Sequence, residues 1–226
     1  MRGGVVLKIV YRESIIEAKI NKKNEKSARK YFSEARTIIE DYIMKNKEFE
    51  TSLIPLKDDS SANELIRRML KAGEAAQVGP FASVAGAIAQ YMLEKLMAEG
   101  CKEAIIENGG DIALSTIKGK NVLIYAGKGP LSNKIIIKAK GTLGICTSSS
   151  TVGHSISFGN MDAACAISED AIIADACATR LGNSKTMKEG ISTAKKLPIF
   201  GAVLIMKDKL SIIPVNKLKM PKIGAV

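Results

Sequence analysis

Over residues 81–116 the chain reads helix, strand, two-glycine turn, strand, and no other feature restricts the fold as much. From Phe81 to about Glu99, the side chains of Val84, Ile88, Met92, Leu96 and Met97 recur at helical spacing and make one apolar face, with Gly100 as the stop. Ala104-Ile105-Ile106 then reads as a short buried strand, Asn108-Gly109-Gly110-Asp111 as a tight turn, and Ile112 to Thr116 as the returning strand. The helix opens on Ala82, Ser83, Ala85, Gly86 and Ala87, residues small enough for a second backbone or a ligand to come close.

The rest of the chain repeats this vocabulary. Residues 4–21 alternate as a hairpin around Arg12-Glu13-Ser14, and Ala28, Tyr31, Phe32, Ala35, Ile38, Ile39, Tyr42 and Ile43 mark a long amphipathic helix from about Glu25 to Lys47. A shorter helix starts near Ala62 and runs through Leu70, and Gly73 and Gly79-Pro80 then break the pattern. Val122 to Tyr125, Ile135 to Ala139 and Leu143 to Cys146 read as strands, Ile172 to Leu181 and Thr186 to Lys196 as helices, and Ala202 to Met206 with Leu210 to Ile213 as a closing hairpin. The expected class is α+β, two interleaved helix-and-sheet units in one domain over residues 1–226, with a hint of duplicated halves near 1–116 and 117–226.

Composition narrows the function classes. With 46% hydrophobic residues but 4% aromatic and no Trp, the core must be built from Ile, Leu, Val, Ala and Met. Thirty-four Lys and Arg against 23 acidic residues give +11, a field that attracts phosphorylated molecules. The basic residues of 22–36, 185–196 and 207–222 are dispersed, have acidic neighbours and lack an aromatic stacking motif, so they read as solvated surface and no nucleic-acid partner is expected. Cys101, Cys146, Cys165 and Cys177 show no C-x-x-C spacing, and a single His cannot complete a zinc site with them. Reduced thiols, no stretch able to span a bilayer and no signal-peptide pattern at the N-terminus lead to the expectation of a soluble cytoplasmic protein, with homo-oligomerisation left open.

Three segments can carry chemistry. Asn108, Gly109, Gly110 and Asp111 combine two conformationally free glycines with flanking polar side chains, although an ordinary hairpin turn would use the same residues. Five consecutive hydroxyl residues, Thr147 to Thr151, follow a strand and precede Gly153 and the sole histidine, His154; such a loop can offer donors to a phosphate or a ribityl chain. Asp175 and Thr179 stand four residues apart on a helix, so their oxygens share one face and suit a hard cation such as Mg²⁺; a first-turn Asp beside a packing Thr is the plainer alternative.

Taken in order, these segments resemble the ApbE family of flavin- and magnesium-handling proteins. The likeness covers about residues 79–182: a glycine-containing helix start, an amphipathic helix, an N-x-G-G-D-like turn at 104–111, a T-S-containing loop and a histidine at Thr147-Ser148 and His154, and an A-D-A-x-A-T helix at Ala174 to Thr179. Members of that family bind Mg²⁺ through the Asp and Thr of the last motif and move FMN from FAD onto a Thr or Ser of a partner protein. The resemblance implies Asp175 and Thr179 as metal ligands, Asn108, Gly109, Gly110, Asp111, Thr147, Ser148 and Ser149 as flavin or nucleotide contacts, and His154 and Asp175 as catalytic. It also implies Mg²⁺ with FAD or FMN as cofactors and a protein acceptor beside the phosphorylated small molecule.

The chain departs from the transferase pattern at two places. Val78 to Gly86 lacks the acidic residue of a D-x-G-x-x-x-K-G helix start and has Ala85 in the lysine's place, and His154 is followed by Ser155-Ile156-Ser157-Phe158 instead of an H-I-x-D-P segment. The leading expectation is therefore a Mg²⁺-dependent enzyme of a cytosolic branch acting on a flavin- or nucleotide-like substrate, with FMN transfer as one specific form. The alternative is a non-catalytic flavin or nucleotide binder. A third reading makes Cys146 a nucleophile with His154 as its base, against Cys146 as a buried structural thiol. The three segments are expected to converge on one cleft.

Overall fold

A computed structural model describes residues 4–11, 14–149 and 159–226. In chain order the elements are β1 (Gly4–Tyr11), β2 (Ser14–Asn21), α1 (Glu25–Lys45), α2 (Glu48–Thr51), α3 (Glu64–Ala76), α4 (Val84–Ala98), β3 (Ala104–Asn108), β4 (Asp111–Leu123), β5 (Ile135–Ser148), β6 (Ala163–Ser168), α5 (Ala171–Gly182), α6 (Met187–Ala194), β7 (Gly201–Met206), β8 (Lys209–Pro214) and β9 (Lys222–Ala225). The strands form one sheet in the order β1-β2-β3-β4-β5-β6-β7-β8, with β9 attached to β5, and every pairing is antiparallel. This is the α+β class expected from the sequence.

One face of the sheet carries the helices. Ile16, Ile20 and Ile106 from the strands pack with Ile66 and Met69 of α3 and Met92, Leu93 and Leu96 of α4 in a single apolar cluster. Each such side chain stabilises the fold by roughly 1.5–3 kcal/mol on burial. Side-chain caps close three helix starts: Asn63 accepts from Leu65 N, Asp170 from Ile173 N and Thr186 from Glu189 N. Each is worth about 1 kcal/mol.

The other face is covered by the sheet's own extension. The strands expected as separate pieces at 112–116 and 122–125, and at 135–139 and 143–146, are two long strands, β4 and β5. Their register shifts between Thr116 and Lys120, where Gly119 and Gly141 both adopt positive φ that other residues rarely tolerate. Beyond the shift, Ile124, Ile135 and Ile137 join Ile105, Leu114, Cys165 and Val203 in a second cluster. Two strands lack a clear sequence signal. Ala163–Ser168 is a fully buried run of small residues without the β-branched enrichment that marks a strand, and β9 has four residues.

Helix α3 also runs through Gly73, where the sequence pattern predicts a break. A Cβ at that position would lie 2.9 Å from the Val78 carbonyl oxygen, so the glycine serves close packing against the chain that leads into α4.

Candidate functional site

The β3–β4 turn works as a hairpin and as a support at once. Gly109 and Gly110 have φ of 64° and 104°, which the two-residue turn requires. Asn108 and Asp111 face each other across it and are buried. Asn108 Nδ2 donates to the Ala85 carbonyl at 3.2 Å and ties the turn to the first residues of α4.

That helix start lacks a cap of its own, because the Ser83 hydroxyl turns back to the Pro80 carbonyl at 2.8 Å. The cap comes from α5: Asp175 Oδ2 accepts from Gly86 N at 2.8 Å, and the Ala85 N–H also donates to this carboxyl. The contact is possible because residue 86 is glycine. A Cβ there would fall 2.2 Å from the Ala171 carbonyl oxygen and 2.8 Å from Asp175 Cβ.

Asp111 lies beside Cys146 in the β4–β5 register, and its carboxyl accepts from the Thr147 N–H, while the Cys146 thiol donates to the Ala171 carbonyl at 3.4 Å. Its Oδ1 has no partner and is buried. Burial, and then the nearby charge of Asp175, hold Asp111 well above the usual carboxylate range. Burial also pushes Asp175 up to about 7, against the lowering effect of the two backbone donors. Two desolvated carboxyls that interact cannot both ionise cheaply, so an added cation beside them is favoured.

The donors near this pair are hard oxygens. Thr179, half-buried and one turn beyond Asp175, has its Oγ1 3.5 Å from the Ala82 carbonyl. Ser148 Oγ is buried without a partner, on the same face of β5 as Cys146. No cluster of three or more His, Cys, Asp or Glu able to hold a metal occurs among the described residues. A cation here would draw on the Asp175 carboxylate, the Thr179 hydroxyl and the Ala82 carbonyl, a donor set that fits Mg²⁺ with waters or phosphate oxygens completing the octahedron.

The structure thus brings Asn108, Asp111, Cys146, Ser148, Asp175 and the start of α4 together. It sends one expected contact elsewhere: the Thr147 hydroxyl bonds the Cys165 thiol on the opposite face, leaving its backbone N–H toward Asp111. Ser149 follows the end of β5 and is half-buried, while Ser150, Thr151 and His154 lie outside the described residues. Cys146 is fully buried, its thiol pushed well up by burial, as befits a structural thiol. Sequence reasoning marks Ala82 and Gly86 as small residues that allow a close approach, which Gly86 makes with α5, but it does not give their backbone groups a part in the site. It also misses Gln90, whose signal is a lone amide within the apolar run Ala87 to Leu93.

Fold and site together define an α+β protein with two buried carboxyls set near the N-terminus of a sheet-packed helix. A family model described as AbpE bacteria matches residues 4–196, and the chain belongs to that family. The UPF0280 protein of Methanococcus aeolicus is 46% identical over 180 residues, covering 75% of this chain and 73% of the relative. That of Archaeoglobus fulgidus is 41% identical over 212 residues, 90% and 88% of the two chains. Among solved structures, the flavin transferase ApbE of Vibrio cholerae superposes with a TM-score of 0.62 at 14% identity, covering 95% of this chain and 98% of the other. The apo flavinyl transferase ApbE of Pseudomonas stutzeri gives 0.66 at 12% identity over 93% and 94%. At such identities the likeness concerns the fold, which is ApbE-like.

Proposed function

We infer that the chain is a Mg²⁺-dependent enzyme acting on a flavin- or nucleotide-like phosphorylated substrate, with transfer of FMN from FAD to a hydroxyl of a protein acceptor as its specific form. The observation that carries this reading is the Asp175 carboxyl, fixed by two backbone N–H groups beside the Thr179 hydroxyl, the Ala82 carbonyl and a second buried carboxyl with a free oxygen. Bound there, Mg²⁺ would offset pyrophosphate charge as the anhydride bond breaks. The chain's own part is to hold Asp175 rigid, to keep Asp111 protonated beside it when no cation is present, and to present the Ser148 hydroxyl and the glycine turn to the ligand. His154 is kept as the acid/base group of the proposal. Flavin contacts are assigned to Asn108, Gly109, Gly110, Asp111 and Ser148.

A second reading, a flavin or nucleotide binder without chemistry, is favoured by Ala85, which sets no ionisable group at the helix start. Incubation of the purified protein with FAD, Mg²⁺ and a Ser- and Thr-bearing acceptor protein, followed by chromatography for AMP, separates the two. AMP accumulating with Mg²⁺ and not without it supports the enzyme; bound, intact FAD supports the binder. Among the described residues no helix is long and apolar enough to cross a membrane. The four thiols are free and buried. We place the protein in the cytoplasm with no nucleic-acid partner.

A further inference from the structure

One turn below the Gly86–Asp175 contact, a closed ring of hydrogen bonds joins α3, α4 and α5. Gln90 Oε1 accepts from Ala171 N at 3.0 Å, and its Nε2 donates to Glu94 Oε1 at 2.8 Å. Glu94 takes both ends of the Arg68 guanidinium at 2.8 Å each. Arg68 also reaches Asp170 Oδ2 at 3.2 Å, and Asp170 caps α5 just before Ala171, which closes the ring.

Gln90 is four residues after Gly86, and Ala171 is four before Asp175, so the two contacts are stacked one turn apart on both helices. Gly86 removes the bulk that would hold α4 and α5 apart, and Gln90 pins how far one lies along the other. Gln90 is 3% exposed with both ends of its amide satisfied. For burial alone, an apolar side chain of similar size would serve as well; directional bonds at both ends fix a register.

We propose that Gln90, through its bond to Ala171 N and its link to Glu94 and Arg68, is the positioning residue that sets the Asp175 carboxylate for a divalent cation. The inference rests on the reading of Asp175 as a cation ligand. A slip of one residue along a helix is 1.5 Å, whereas a functional constellation tolerates about 0.5 Å and Mg²⁺ demands near-ideal octahedral geometry. Losing the ring therefore weakens cation binding more than it weakens the fold.

The test is a Mg²⁺ titration of ADP binding by calorimetry, with thermal unfolding measured on the same samples. The variants are Gln90→Leu, Gln90→Glu, the exchange Gln90→Glu with Glu94→Gln, Asp175→Asn, and Tyr31→Phe. The last removes a hydrogen bond to Glu99 away from the ring. Gln90→Leu is expected to raise the Mg²⁺ requirement about tenfold, as 1.4 kcal/mol corresponds to a factor of ten. Gln90→Glu alone, facing Glu94, should do at least as much. The exchange reverses donor and acceptor and restores the bond between positions 90 and 94 and the acceptor for Ala171 N, but gives up one of the two Arg68 bonds, so it should recover only part of the loss relative to Gln90→Glu alone. Tyr31→Phe should lower the unfolding temperature without changing the Mg²⁺ requirement.

The proposal is overturned if Gln90→Leu leaves the requirement unchanged, or if Tyr31→Phe shifts it in proportion to stability as Gln90→Leu does. Should Asp175→Asn itself leave the requirement unchanged, the cation reading falls first and the positioning role with it.

Discussion

The two ends of β4 and β5 are built on opposite electrostatic terms. At the β3–β4 turn, Asp111 is buried beside Asp175, and no lysine or arginine pairs with either among the ion pairs of the described residues. At the other end, Lys138 of β5 stands directly opposite Lys222 of β9, and Lys120, Lys134 and Lys140 are exposed nearby. Residues 112–161 and 209–226 together contain ten lysines and no acidic residue, so the other 24 basic residues face all 23 acidic ones. Nearly all of the +11 net charge thus belongs to these two segments of the chain. The lysines are exposed, and water screens their repulsion cheaply; the carboxyls are not, and desolvation keeps them above their ordinary range. Like charge gathered on a surface is tolerable, whereas two carboxyls buried side by side favour a cation ligand.

The largest effect should come from filling the space that lets α4 and α5 approach each other. Gly86→Ala places a methyl 2.2 Å from the Ala171 carbonyl oxygen, a backbone atom that cannot rotate away. It should cost about 3 kcal/mol or more in denaturant unfolding, the upper range for overpacking, because α4 and α5 must separate. A variant as stable as wild type would mean that the Asp175 cap is not held at this spacing.

Next comes pH. Asp175 titrates near 3.8 in an unfolded chain and near 7 in the fold, so between these values the native state holds the extra proton. Stability contributed by this group is fully present below about pH 4 and is lost as pH rises through about 7. Metal-free protein should therefore melt at a lower temperature at pH 8 than at pH 5, with added Mg²⁺ reversing part of the loss. Asp111→Asn, which removes the second carboxyl held above its ordinary range, should flatten that dependence. A wild-type unfolding temperature that rises steadily from pH 5 to 8 without metal would break the contrast between the two poles.

Thr179→Val should act more mildly, raising the Mg²⁺ requirement about threefold by loss of one neutral oxygen ligand. At the lysine pole the effect should be smaller still. Lys222→Glu turns the cross-strand pair with Lys138 from repulsive to attractive and should raise stability by about 0.5 kcal/mol, fading at high salt. An equal gain at high salt would remove electrostatics as its cause.

Much of this organisation is legible in the residues themselves. The α1 and α4 periodicities, the glycine turn and the Asp175 helix are local patterns, and local patterns survive folding. The features that are not legible there are set by tertiary context. Gly119 and Gly141 look like strand ends but mark a bulge, because the second apolar cluster needs β4 and β5 to continue past them. The alternation of β5 sends Ser148 to the face of Cys146 and Asp111 and the Thr147 hydroxyl to the other, a distinction that a row of five hydroxyl residues conceals. Ala82 enters through its carbonyl, which no side-chain motif can announce.

The most direct measurement is calorimetric titration of FAD into wild type and Asp175→Asn, each with and without Mg²⁺. Asparagine keeps the size and one carbonyl oxygen but removes the charge. Wild type should bind FAD at least about tenfold more tightly with Mg²⁺ than without, and the variant should lose that difference while unfolding at a temperature close to wild type. If wild-type affinity is the same with and without Mg²⁺, or if Asp175→Asn keeps the full Mg²⁺ effect, the buried carboxyls at the start of α4 are not a cation site and the likeness to flavin transferases ends at the fold.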